Sequence, residues 1–138
     1  AGLCLGTVFG GPRIAGAGSG LTEARFYDRL DRGRTRCRLC PNQCVRSPGE
    51  EGRCRARGNR EGRYHSLVYG RPCVIALDRV EMCPLYHFRP GARALSIATA
   101  GCNLSCSYCQ NWEFSQAGPD EVPKSYRLSP SEVAVNSK

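Results

Sequence analysis

Ten cysteines lie in 138 residues, and seven of them fall into two short groups: Cys37, Cys40, Cys44 and Cys54, then Cys102, Cys106 and Cys109. That clustering limits the folds open to the chain more than any other feature. Thiols a few residues apart are paired as disulfides, buried as free thiols or gathered on a soft metal, and the last choice wraps loops around a centre. With 41% apolar residues the chain can build a core, and no run approaches the ~18–20 apolar residues of a membrane-spanning helix. At roughly 100–200 residues per domain, the length allows one ordinary domain, or a small module plus part of a larger one. A membrane protein, a coiled coil and a fully disordered chain are excluded.

The net charge of +8 is unevenly spread. Arg25 to Arg93 carries 16 arginines against 7 acids, whereas Ala94 to Lys138 carries 3 basic and 4 acidic residues. An arginine-rich stretch can neutralise phosphates. These arginines, however, are scattered among cysteines and glycines and form neither a block nor a helical face, so they read as a solvated surface and not as a nucleic-acid site.

Ala1 to Gly20 holds 7 of the 16 glycines with little periodicity, and reads as a Gly/Ala-rich linker or the tail of a trimmed leader. Leu21 to Leu30 places Leu21, Ala24, Tyr27 and Leu30 at helical spacing, with Gly33 suited to end the helix. Arg36 to Gly62 holds four cysteines and four glycines without periodicity, as expected of a loop-rich knot around a centre. Tyr64 to Leu77 predicts two short strands with Gly70-Arg71-Pro72 as the turn between them. Pro84, Pro90 and Gly91 then break the chain, and Ala94 to Ala100 is an apolar run that reads as a buried strand ending at Gly101. Ser129-Pro130-Ser131-Glu132 opens a helix, with serine at the N-cap, proline at the first position and glutamate at the third.

The chemical signal is strongest at Cys102-Asn103-Leu104-Ser105-Cys106-Ser107-Tyr108-Cys109. C-x3-C-x2-C puts three soft thiolates on one loop, suited to iron–sulfur or zinc. Three ligands leave one iron of a four-iron cube open to a substrate or cofactor. A closed zinc site wants four, and would have to recruit the fourth from His87 or Cys83. Three cysteines within eight residues cannot all pair locally as disulfides.

Gly101 to Cys109, continued by Gln110-Asn111-Trp112-Glu113, resembles the radical S-adenosylmethionine (SAM) enzymes. More narrowly it is similar to the pyruvate formate-lyase activating enzyme-like branch named for the AmmeMemoRadiSam system. The resemblance extends over Glu23 to Tyr27, Cys37-Arg38-Leu39-Cys40-Pro41, Gly49 to Cys54 and Pro84-Leu85-Tyr86-His87-Phe88. It implies that Cys102, Cys106 and Cys109 each ligate one iron of a [4Fe-4S] cluster, with SAM chelating the fourth. One electron, from a donor such as flavodoxin or ferredoxin, would cleave SAM to methionine and a 5′-deoxyadenosyl radical that abstracts hydrogen. Tyr108 matches the family's aromatic position near the adenine. The family's substrates would be a glycyl radical enzyme, or a target shared with Memo-like and AMMECR-like proteins. No residue in this stretch chooses between them.

With the resemblance, the expected fold class is α/β. It is the start of a partial TIM-like radical SAM barrel (residues 93–138), preceded by a small cysteine-rich, hairpin-containing module (21–92) and the leader or linker (1–20). The glycine-rich SAM-contacting motif and later strands of the family would lie beyond Lys138, so this stretch alone is expected to be incomplete for turnover. Met82 and Cys83 stand where the family carries lysines, while Glu81 keeps the pattern.

The second group, Cys37-x2-Cys40-x3-Cys44-x9-Cys54, offers four thiolates with short spacings. It fits zinc or a fully ligated second iron–sulfur cluster, with a disulfide pair as the alternative. An iron–sulfur cluster there would relay electrons, and zinc would staple a region with little core. Cys73 reads as a small buried residue, and His87 as a packing histidine, with catalytic or metal-supporting work as the alternative. The competing function is a non-catalytic cysteine-rich zinc-binding module whose arginines meet an anionic partner. The expected compartment is the cytoplasm, with an exported form carrying a trimmed leader as the alternative.

Overall fold

The computed structural model describes residues 21–137; the expected leader or linker and Cys4 lie outside them. Three small antiparallel sheets make up the fold. The first joins β1 (Thr22–Glu23), β6 (Arg63–Ser66) and β5 (Arg57–Arg60), in that spatial order. A second sheet runs β2 (Tyr27–Arg29), β3 (Thr35–Cys37) and β4 (Val45–Arg46), and the third pairs β7 (Pro72–Arg79) with β8 (Arg93–Thr99). Two short helices follow, α1 (Trp112–Ser115) and α2 (Pro130–Asn136).

This architecture overturns the expected start of a TIM-like barrel. Every strand pair is antiparallel, and among the described residues no strand–helix–strand crossover occurs. The decisive element is β8. A barrel strand is buried on both faces and lies parallel to its neighbours. β8 instead alternates, with Leu95, Ile97 and Thr99 exposed and Ala94, Ser96 and Ala98 half-buried. It pairs in register with β7, Ile75 opposite Ile97 and Leu77 opposite Leu95. The second β-prone run, Pro72 to Arg79, is only one loop away in sequence, which makes this pairing cheap in closure entropy. That loop, residues 80–92, is tied at its base by Val80 N–H to Ala92 O (2.8 Å) and Gly91 N–H to the Glu81 carboxylate (2.6 Å).

The helix expected over Leu21 to Leu30 is also absent: β1 and β2 occupy it, with Phe26 at φ +58° turning the chain between them. Gly33 closes a 3-10 turn over Asp31–Gly33 and not an α-helix. Helical spacing at four positions loses here to two sheet edges, because Thr22 pairs with Ser66 and Tyr27 with Cys37. The two strands expected between Tyr64 and Leu77 exist as β6 and β7, with a turn between them closed by Arg71 N–H to Val68 O. They do not form a hairpin with each other, since β6 joins the first sheet and β7 the third. At the other end, α2 begins as expected, with Ser129 and Glu132 forming a reciprocal capping box and Pro130 in the first turn.

The core is small and partly polar. Tyr64, Thr35 and Asn59 are fully buried, and Cys37 and Leu67 nearly so. Asn59 donates to Gly33 O (2.8 Å) and Arg46 O (2.9 Å) and accepts from Gly62 N–H (2.9 Å), so one side chain ties three segments together. β5 and β6 meet through Glu61-Gly62, both at positive φ, as a two-residue hairpin turn with right-handed strand twist requires.

Candidate metal centre

The first cysteine group sits on two turns. Cys37 ends β3, and its N–H bonds Cys44 O (2.9 Å) just before β4, so these two residues face one another across a hairpin base. Cys40 stands at the tip, where Gln43 N–H reaches Cys40 O (3.2 Å). Cys54 lies on the turn before β5, framed by Gly52 N–H to Arg57 O (2.7 Å) and Arg55 N–H to Gly52 O (2.9 Å). Burial pushes the Cys54 thiol upward in pKa, with the backbone N–H groups of Ala56 and Arg57 opposing it. Cys37, Cys54 and Cys44 all lie near Tyr64, whose phenol is pushed well up, first by burial and then by those thiolate charges.

Two groups that sequence reasoning passed over lie against these sulfurs. Arg57, on β5, donates to Cys37 Sγ (3.1 Å) and to Arg25 O, and its guanidinium carbon stands 5.3 Å from the centre of the Tyr64 ring. Among the described residues, the buried Tyr64 hydroxyl has no hydrogen-bond partner. Nothing in the sequence separates Arg57 from its many neighbours of the same kind, and Tyr64 reads as one aromatic in a strand.

The second group follows β8. Gly101, at φ +87°, turns the chain out of the sheet, and its N–H bonds Phe114 O (2.8 Å). Cys102 and Cys109 are half-buried, whereas Cys106 is exposed. Leu104 N–H points at Cys102 Sγ (3.4 Å), Cys109 N–H reaches Cys106 O (3.3 Å), and Cys109 Sγ stands 3.2 Å from Ser115 Oγ on α1. Tyr108 projects into solvent at 90% exposure, and Trp112 is exposed beside it in sequence.

The two cysteine groups touch. A Cβ on Gly101 would fall 2.2 Å from Cys54 O, so the backbone after β8 rests directly on the Cys54 turn. Asn42, at the tip of the first hairpin, donates to Asn103 O (2.9 Å) in the second loop. Among the described residues, no three His, Cys, Asp or Glu side chains stand close enough to hold a metal ion without moving. All nine described cysteines are free thiols.

The remaining candidates lie apart from these loops. Cys73 is buried with its sulfur 3.5 Å from Ala98 O, and Cys83 is exposed, 3.7 Å from Ser96 Oγ. His87 is exposed on the 80–92 loop, and His65 is half-buried on β6 with Nδ1 3.1 Å from Arg63 O.

No family model matches the chain, and no solved structure matches it. It is 43% identical over 114 residues to an uncharacterized protein of Methanocaldococcus jannaschii, an alignment covering 82% of this chain. The chain spans about a third (34%) of that relative's length. No described helix is long and apolar enough to cross a membrane.

Proposed function

We propose that the loop from Cys102 to Cys109 binds a [4Fe-4S] cluster of the radical SAM type, and that the chain belongs to a larger cytoplasmic oxidoreductase that works through it. The observation that carries this reading is the loop itself: three thiolates and not four, on one turn beyond β8, with Cys106 open to solvent. The donor set fits the cluster, since thiolates are its ligands and three of them leave one iron for SAM. When bound, the cluster and SAM supply a 5′-deoxyadenosyl radical for hydrogen abstraction.

The chain's own residues have simpler work. The Leu104 N–H and the Ser115 hydroxyl, 3.4 Å and 3.2 Å from the Cys102 and Cys109 sulfurs, orient those thiolates and moderate their charge. Gly101, seated on the Cys54 turn, fixes where the loop starts. The exposed ring of Tyr108 offers a flat surface for the adenine.

The test is iron and acid-labile sulfide on protein prepared without oxygen, for the wild type and a C102A/C106A/C109A variant. About four irons and four sulfides per chain, lost in the variant, are expected. A wild type holding zinc alone, unchanged in the variant, overturns the reading in favour of a cysteine-rich zinc module.

A further inference from the structure

We propose that Cys37, Cys40, Cys44 and Cys54 hold a single tetrahedral zinc ion, with Arg57 and Tyr64 as the residues that steady its thiolates. The strongest argument is a charge. Arg57 is only 8% exposed, and among the described residues its guanidinium pairs with no carboxylate; its partners are a sulfur and a carbonyl. A buried cation without an anion is costly. Zinc bound by four thiolates carries two net negative charges, and one of those sulfurs, Cys37 Sγ, already stands 3.1 Å from the guanidinium.

A second debt points to the same place. Among the described residues the Tyr64 hydroxyl is fully buried and unpartnered, one of four such side-chain atoms with Thr35 Oγ1, Arg46 Nε and one Glu81 oxygen. A Cβ built on Gly52 would lie 2.7 Å from that hydroxyl and 3.6 Å from Cys54 Sγ, so hydroxyl and sulfur border one narrow space. A metal thiolate there accepts the hydroxyl hydrogen.

Size selects one ion over a cube. Zinc–sulfur bonds of about 2.3 Å place the four sulfurs within about 4 Å of one another. A four-iron cluster spreads its ligands around a cube of iron and sulfide. Here the Cys37 and Cys44 backbones are directly hydrogen-bonded, which holds the two thiols on one tight hairpin base. Ligation requires the four side chains to turn inward from their present positions, since no three of them now stand close enough to hold an ion. It replaces thiol protons with the metal and moves no electrons.

The measurement is made on the full 138-residue chain, loaded with zinc and then, after exchange, with cobalt. One zinc per chain is expected, retained in the C102A/C106A/C109A variant and in C73S, and lost in C40S/C54S. The cobalt form of the wild type should show the intense visible and near-ultraviolet bands of a tetrahedral four-thiolate site, a readout that does not depend on any variant folding. Arg57→Met should weaken zinc about 10-fold in competition with a chelator, with Arg57→Lys recovering part of the loss. Iron and sulfide retained in C102A/C106A/C109A, a cobalt spectrum with fewer than four sulfurs, or zinc lost in that variant would each overturn the proposal. The cluster at residues 102–109 is judged separately, by whether iron and sulfide are lost in C102A/C106A/C109A while the one zinc stays.

Discussion

At the scale of single residues, the position with least freedom is Gly101. Its φ of +87° suits glycine, and a Cβ there would meet Cys54 O at 2.2 Å and Ala56 N at 3.1 Å. Neither neighbour can yield, because both are backbone. Gly101→Ala is therefore expected to cost on the order of 3 kcal/mol, from left-handed strain plus overlap, read as a lower denaturant midpoint at unchanged slope. Gly49→Ala is the control, since it also has positive φ (+89°) but meets nothing within 4 Å and so carries only the strain.

At the scale of elements, α2 shows local chemistry deciding structure. Its Ser129 N–H bonds the Glu132 carboxylate at 2.7 Å, and that bond holds the carboxyl below its ordinary range. A carboxylate depressed in the folded state stabilises above its unfolded pKa and loses that contribution as pH falls through the folded one. The helix is thus expected to fray first at its N-terminus on acidification, seen as loss of the Glu132 amide's protection by NMR, with Glu132→Gln removing much of the pH dependence. This element was legible in the sequence because serine, proline and glutamate stand within four residues of one another. The stretch from Leu21 to Leu30 was not, because nothing local says that Thr22 will meet Ser66 or that Tyr27 will meet Cys37. The apolar run before Gly101 is a strand, as expected, but it is neither buried on both faces nor parallel to a neighbour: Leu95 and Ile97 alternate with small residues, and nothing local says that β7 will lie beside it. Of the candidate site, the cysteine spacings were visible, whereas Arg57, Tyr64 and the contact from Asn42 to Asn103 arise only from tertiary placement.

At the scale of the whole molecule, the β7–β8 hairpin presents Ile75, Leu77, Leu95 and Ile97 together on one face, each between 38% and 47% exposed. Adjacent cross-strand apolar pairs make a continuous patch, which a hydrophobic dye will detect. Leu77→Thr with Leu95→Thr is expected to lower dye fluorescence several-fold at a stability cost of about 1–2 kcal/mol, because each side chain is only half in water. Equal dye binding in the variant would place the patch elsewhere. The seat of Gly101 on the Cys54 carbonyl also couples the two cysteine loops. The turn over residues 52–57 is held by contacts a few residues apart, whereas the later loop leans on that turn's backbone. Damage that opens residue 54 therefore takes away the surface on which residues 101 and 102 rest.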